Sequence, residues 1–79
     1  MLIQKKITEI NSAMKIILNG KAYRPIVSAT ISELLSELKQ RPDRVVVELN
    51  SAIIQREQYQ TAALYDGDKV EIVRLVGGG

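Results

Sequence analysis

Apolar residues along this chain fall in short runs, and their period changes where the turn-forming residues stand. Ile16, Ile17 and Leu18 follow Lys15 as a β-branched stretch, and Asn19-Gly20 comes directly after. That dipeptide is a strong hairpin signal, because both central positions of a type I′ turn need positive φ. The chain should return from Lys21 to Val27 as a second strand. Pro25 has no N–H for a ladder, so this strand belongs at a sheet edge or stops pairing there. Thr30-Ile31-Ser32-Glu33 then reads as a capping box, with Ile31, Leu34, Leu35 and Leu38 spaced as one helical stripe behind it. The spacing predicts one amphipathic helix ended by Pro42, with Glu37 and Arg41 one turn apart and in the favourable order for an ion pair.

Beyond Pro42 the pattern becomes extended. Arg44 to Leu49 is the most β-branched stretch and predicts a well-buried strand. Asn50-Ser51 turns, Ala52 to Gln55 is short and extended, and Arg56 to Ala63 predicts a turn or a short 3₁₀ segment. Asp66-Gly67-Asp68 is a tight turn. Lys69 to Val76 alternates, with Val70 and Ile72 on the core face. A hairpin, one helix and a final strand make an α+β fold: a mixed sheet of four to five strands with one main helix packed on one face. The first and last strands are the natural central pair.

Three segments follow from this reading. Residues 14–76 form the domain, residues 1–13 an N-terminal extension and residues 77–79 a glycine tail. In the extension, Leu2, Ile3, Ile7 and Ile10 share a helix-like spacing over a stretch too short to be stable alone. A loosely ordered terminus is the simpler expectation. An amphipathic segment that docks on the domain or a neighbour is the other.

Composition removes whole chemistries. Among 79 residues there is no Cys, His, Trp or Phe. Thiolate nucleophiles, disulfides, thiolate metal sites and histidine bases are therefore excluded. No phosphate-binding loop, dinucleotide fingerprint, nucleophile elbow or zinc-binding helix motif occurs. Ser28, Ser32, Ser36 and Ser51 have no base to activate them, and Asp66 and Asp68 read as turn chemistry rather than as cation ligands. A self-contained enzyme is not expected, and neither is a bound metal or cofactor. Apolar runs fall far short of the ~20 residues that span a bilayer, and the first residues lack the apolar core of a signal peptide. A soluble cytoplasmic protein without a membrane partner is the expectation. Eleven basic and nine acidic residues give a net charge of +2, spread along the chain, and Tyr23, Tyr59 and Tyr65 are the sole aromatics. Neither a basic cluster nor a stacking platform is legible, which argues against nucleic acid.

One feature is left over. Gly77-Gly78-Gly79 follows the last strand. It can be a frayed tail or a cloning scar. It can also be a tether without Cβ atoms, able to thread where side chains would clash and to present a carboxylate to another enzyme.

The order of these pieces resembles the ubiquitin-like β-grasp family and, within it, the ThiS family of sulfur carriers in thiamin biosynthesis. The residues that carry the likeness run from Met14 to Gly79. They are Met14-Lys15-Ile16 with Leu18-Asn19-Gly20, the helix start at Thr30-Ile31 with Leu34-Leu35, and Val47-Glu48-Leu49-Asn50 with Ile53-Ile54 and Arg56. Leu64, Asp66-Gly67-Asp68, Val70-Glu71-Ile72 and Val76-Gly77-Gly78-Gly79 complete the set. Gln55 departs from the proline that the family usually places before the arginine, which should loosen that turn. The 13-residue extension is a second departure.

The resemblance implies a carrier rather than a catalyst. A ubiquitin-activating-like adenylyltransferase of the ThiF type would use ATP and Mg to adenylate the Gly79 carboxylate. Sulfur from a cysteine-desulfurase persulfide would convert it to a thiocarboxylate, and a thiazole synthase of the ThiG type would accept that sulfur. Gly77 and Gly78 would be the flexible approach. Alternation along the two central strands turns Ile17, Val73 and Leu75 outward, and as neighbours they would form an apolar partner-binding patch beside the tail. Arg74 can pair with partner carboxylates or simply solvate its strand, and solvation is the plainer reading. Two alternatives stay open: a sulfur carrier for molybdopterin synthesis, although Arg74-Leu75-Val76 stands where that family tends to carry Pro-Pro, and a non-catalytic ubiquitin-like interaction module or protein modifier.

Overall fold

The computed structural model describes residues 14–76; the N-terminal extension and Gly77-Gly78-Gly79 lie outside the described residues. Strands β1 (Ile16–Leu18) and β2 (Lys21–Tyr23) form the first hairpin, and helix α1 (Ile31–Glu37) follows. A 3₁₀ turn at Pro42–Arg44 leads into β3 (Val45–Leu49), which pairs with β4 (Ala52–Ile54). A second 3₁₀ turn spans Arg56–Gln58, and β5 (Lys69–Arg74) closes the domain. The sheet order is β2-β1-β5-β3-β4. β5 is central, parallel to β1 and antiparallel to β3.

The turn chemistry acts as the residues predict. Asn19 and Gly20 both take positive φ, +49° and +84°, and the Asn19 side chain extends the pairing onto β5. Its Oδ1 accepts from the Ile72 N–H at 2.8 Å and its Nδ2 donates to the Ile72 carbonyl at 3.3 Å. Thr30 caps α1: its hydroxyl accepts from the Glu33 N–H, while Glu33 Oε1 accepts from the N–H groups of Ala29 and Thr30. Ile31, Leu34 and Leu35 then face the sheet and meet Ile16, Val47 and Val70, all six fully buried. Complete burial of a Val, Leu or Ile side chain contributes roughly 1.5–3 kcal/mol, so this layer holds helix to sheet. Ile72 and Leu18 pack at its margin, as the alternation requires.

Three expectations need correction. Strand β2 ends at Tyr23, not Val27, because pairing stops two residues before Pro25. Helix α1 ends at Glu37, well before Pro42. Lys39 takes φ +59° and donates to the Ser36 carbonyl, while the Gln40 N–H reaches the Leu35 carbonyl at 2.8 Å. That is a Schellman stop, with lysine where glycine is the usual occupant. The third correction follows from the second. Arg41 lies beyond the helix, so its partner is Asp43 at 3.2 Å and not Glu37.

Candidate functional site

The site is the end of β5, where the central strand runs toward the glycines. Val73 pairs directly with Val46 of β3 on the sheet face away from α1, and both lie outside the core cluster. Leu75 is tied down by its N–H, which donates to the Arg44 carbonyl at 2.8 Å. Val46, Ile53 and Leu75 line one shallow groove. Val73 is 56% exposed, Leu75 51%, Ile53 61% and Val76 90%, so several exposed apolar side chains stand on the last residues of β5, the stretch after it and neighbouring β4.

Ile17 does not belong with them. The parallel register sets Ile17 beside Lys69, at the start of β5. Val73 lies four residues further along β5, about 13 Å at strand rise. Lys69 and Glu71 separate the two on that face, and Ile17 is itself half-buried. The patch is therefore Val73 and Leu75 joined by Val46 and Ile53. Sequence reading missed this pair because Val45-Val46-Val47 reads as a uniformly buried run, and only the register shows that Val46 turns outward opposite Val73.

The opposite end of β5 is locked by carboxylates. Asp66 Oδ1 accepts from the Lys15 N–H at 2.8 Å. Asp68 Oδ2 accepts from the Tyr65 N–H at 2.8 Å, and its Oδ1 accepts from Asn50 Nδ2 at 3.0 Å. Both carboxylates are thus committed to turn geometry, and among the described residues no group of three or more Cys, His, Asp or Glu is placed to hold a metal ion. Arg74 is exposed; it stands opposite Val45, on the helix-side face of the sheet, and borders the same depression as Lys39, Arg41 and Arg44.

Glu37 is the most heavily used carboxylate. Burial pushes its pKa up, but hydrogen bonds from Ser28, Tyr23 and the Ile26 and Val27 N–H groups outweigh it and hold the carboxyl below its ordinary value. Ser28 Oγ donates to it at 2.6 Å, and the Ile26 N–H reaches both oxygens at 3.0 and 3.1 Å. The same bond, from the Tyr23 hydroxyl, raises the Tyr23 pKa, with burial and the carboxylate's charge adding to it. This network fixes the β2–α1 loop and carries no reactive group of its own. Gln55, for its part, donates its N–H to Gln58 Oε1 at 3.2 Å, a bond that proline could not make. Among the described residues no helix is long and apolar enough to cross a membrane.

A five-stranded mixed sheet with parallel first and last strands at its centre and one helix across one face is the ubiquitin-like β-grasp. The comparisons with known proteins narrow that class. The ThiS family model matches residues 15–79, and the chain belongs to the ThiS family. It is 32% identical over 66 residues to the sulfur carrier protein ThiS of Escherichia coli, covering 84% of this chain and all of that one. The crystal structure of the thiamine biosynthesis protein ThiS from Geobacter metallireducens superposes with a TM-score of 0.72 at 36% identity, covering 84% of this chain and 100% of that one. A thiazole synthase of Paramagnetospirillum magneticum is 41% identical over 66 residues, which are 84% of this chain and 20% of that protein. The chain thus spans about a fifth of the length of the thiazole synthases it matches.

Proposed function

We propose that this protein is a sulfur carrier for thiazole formation in thiamin biosynthesis, acting in the cytoplasm as a substrate of partner enzymes. The observation that carries the reading is the extent of the family match, which runs through the last strand and includes Gly77, Gly78 and Gly79. Gly79 presents the carboxylate. An adenylyltransferase of the ThiF type docks on Val73, Leu75, Val46 and Ile53 and draws the glycines into its own ATP site. Transfer of AMP to the carboxylate releases pyrophosphate and turns a poor leaving oxygen into a good one. The outer sulfur of a cysteine-desulfurase-derived persulfide then displaces AMP, giving an acyl disulfide. Attack of a second thiol on the persulfide's inner sulfur breaks the S–S bond, forming a disulfide there and releasing the thiocarboxylate. In this reading ATP and Mg are used by the partner enzyme.

A thiazole synthase of the ThiG type receives the sulfur. Support comes from the Paramagnetospirillum magneticum protein, which carries a region similar to this domain in a chain about five times longer than the matched stretch. The test is complementation. A strain that lacks its own thiamin sulfur carrier should grow without thiamin when given this chain, and a strain lacking the molybdopterin carrier should stay deficient. Rescue of the second strain and not the first would overturn the thiazole assignment.

A further inference from the structure

Three segments meet behind the root of the tail. Helix α1 stops at its Schellman turn, the Pro42–Arg44 3₁₀ turn follows within a few residues, and Leu75 is hydrogen-bonded back to Arg44. Together Lys39, Gln40, Arg41, Arg44, Arg74 and Leu75 line one open depression. Four of these six residues are cations and none is an acid. Arg41 pairs with Asp43 in an exposed contact. The side chains of Lys39, Arg44 and Arg74 have no carboxylate within ion-pair reach. The fold draws no bond from these three charges, and like charges gathered in one place repel. Lys39 moreover occupies a left-handed position that glycine would fill with less strain.

We infer that this basic depression docks an acidic surface of the protein that takes up the tail, orienting the domain before the glycines are threaded. The inference rests on the carrier reading, since that reading supplies an enzyme that must seize the tail. Leu75 lines both the depression and the groove that holds Val46 and Ile53, so the two adjoin. An apolar centre with a charged rim is ordinary interface anatomy. No aromatic ring lines the depression, so the stacking surface that single-stranded nucleic acid uses is missing, and an acidic protein is the better fit. Charges at such a rim act chiefly on the association rate and on orientation.

The test measures association of the full chain with the adenylating enzyme, comparing wild type with an Arg44→Glu/Arg74→Glu variant and with the milder Arg44→Gln/Arg74→Gln. Both side chains are exposed, so the fold should tolerate either change. At low salt the Glu variant should associate about tenfold more slowly, with the Gln variant between. At about 0.5 M salt, where the screening length falls to roughly 4 Å, the three should converge. Thiocarboxylate formation at saturating enzyme should remain complete in all three. Equal rates at low salt with loading intact would overturn the docking inference and leave the carrier reading standing. Tighter binding of a single-stranded DNA oligonucleotide than of the enzyme, lost in the Glu variant, would overturn it in favour of nucleic acid. A wild-type chain neither bound nor loaded would overturn inference and carrier reading together.

Discussion

The two ends of β5 differ in what their polar groups are used for. At its start, Asp66 and Asp68 each accept hydrogen bonds from other segments, and Asn50 spans the gap by accepting from the Lys69 N–H at 2.9 Å and donating to Asp68. At its end, Val73, Leu75 and Val76 stand exposed, and Arg74 borders a depression lined by four cations, of which Arg41 alone has a carboxylate partner among the described residues. One end spends its side chains on the fold, and the other leaves them exposed, where the proposed partner would dock. If the carrier reading holds, substitutions at the two ends of this strand should separate stability from function.

The largest effect should come from the tail itself. Deleting Gly78-Gly79 should abolish sulfur loading, read by intact-mass spectrometry, with the thermal transition unchanged. Next, Asp68→Ala should destabilise the domain by about 2 kcal/mol in chemical denaturation, because it strips the acceptor from two groups. Binding to the adenylating enzyme should not change. Val73→Asp should do the reverse: stability within about 0.5 kcal/mol of wild type, as for exposed sites generally, and clearly weaker partner binding. If Asp68→Ala weakened binding or Val73→Asp unfolded the domain, the division between the ends would fail.

Glu37 supplies a control away from both ends. Its folded pKa is lowered, so its contribution to stability is present above the ordinary carboxylate range and lost as pH falls through the folded value. Glu37→Gln should therefore cost roughly 1–2 kcal/mol near neutrality. In acid, as the wild-type carboxylate protonates, the difference should shrink, seen by denaturation at several pH values. The smallest effect concerns a turn at the locked end. Ser51 sits at φ +74°, and Ser51→Gly should raise stability by about 0.5–1 kcal/mol while association with the partner stays the same.

Much of this was legible in local chemistry. Asn19-Gly20, the Thr30 capping box and the alternation of Val70 and Ile72 depend on neighbours in sequence, and each appears in the fold as its residues predict. The helix end was not legible, because a lysine in a left-handed turn carries no mark that glycine or asparagine would. Pro42 was the visible breaker, but the chain had already left the helix. The apolar patch was half-legible. Alternation correctly turned Val73 and Leu75 outward, yet alternation fixes only the face, and register along the sheet decided that Val46 and Ile53 join them while Ile17 stays at the far end. The basic depression was invisible for a similar reason. Its cations are scattered over positions 39, 41, 44 and 74, and only the return of β5 beside β3 brings them to one place.

Whether the tail carries sulfur is best measured on the intact chain. Incubated with the adenylating enzyme, ATP and a persulfide-generating desulfurase, the chain should gain the mass of one sulfur in place of one oxygen, and fragmentation should localise it to Gly79. An unchanged mass while the enzyme binds the chain and consumes ATP would contradict the carrier account.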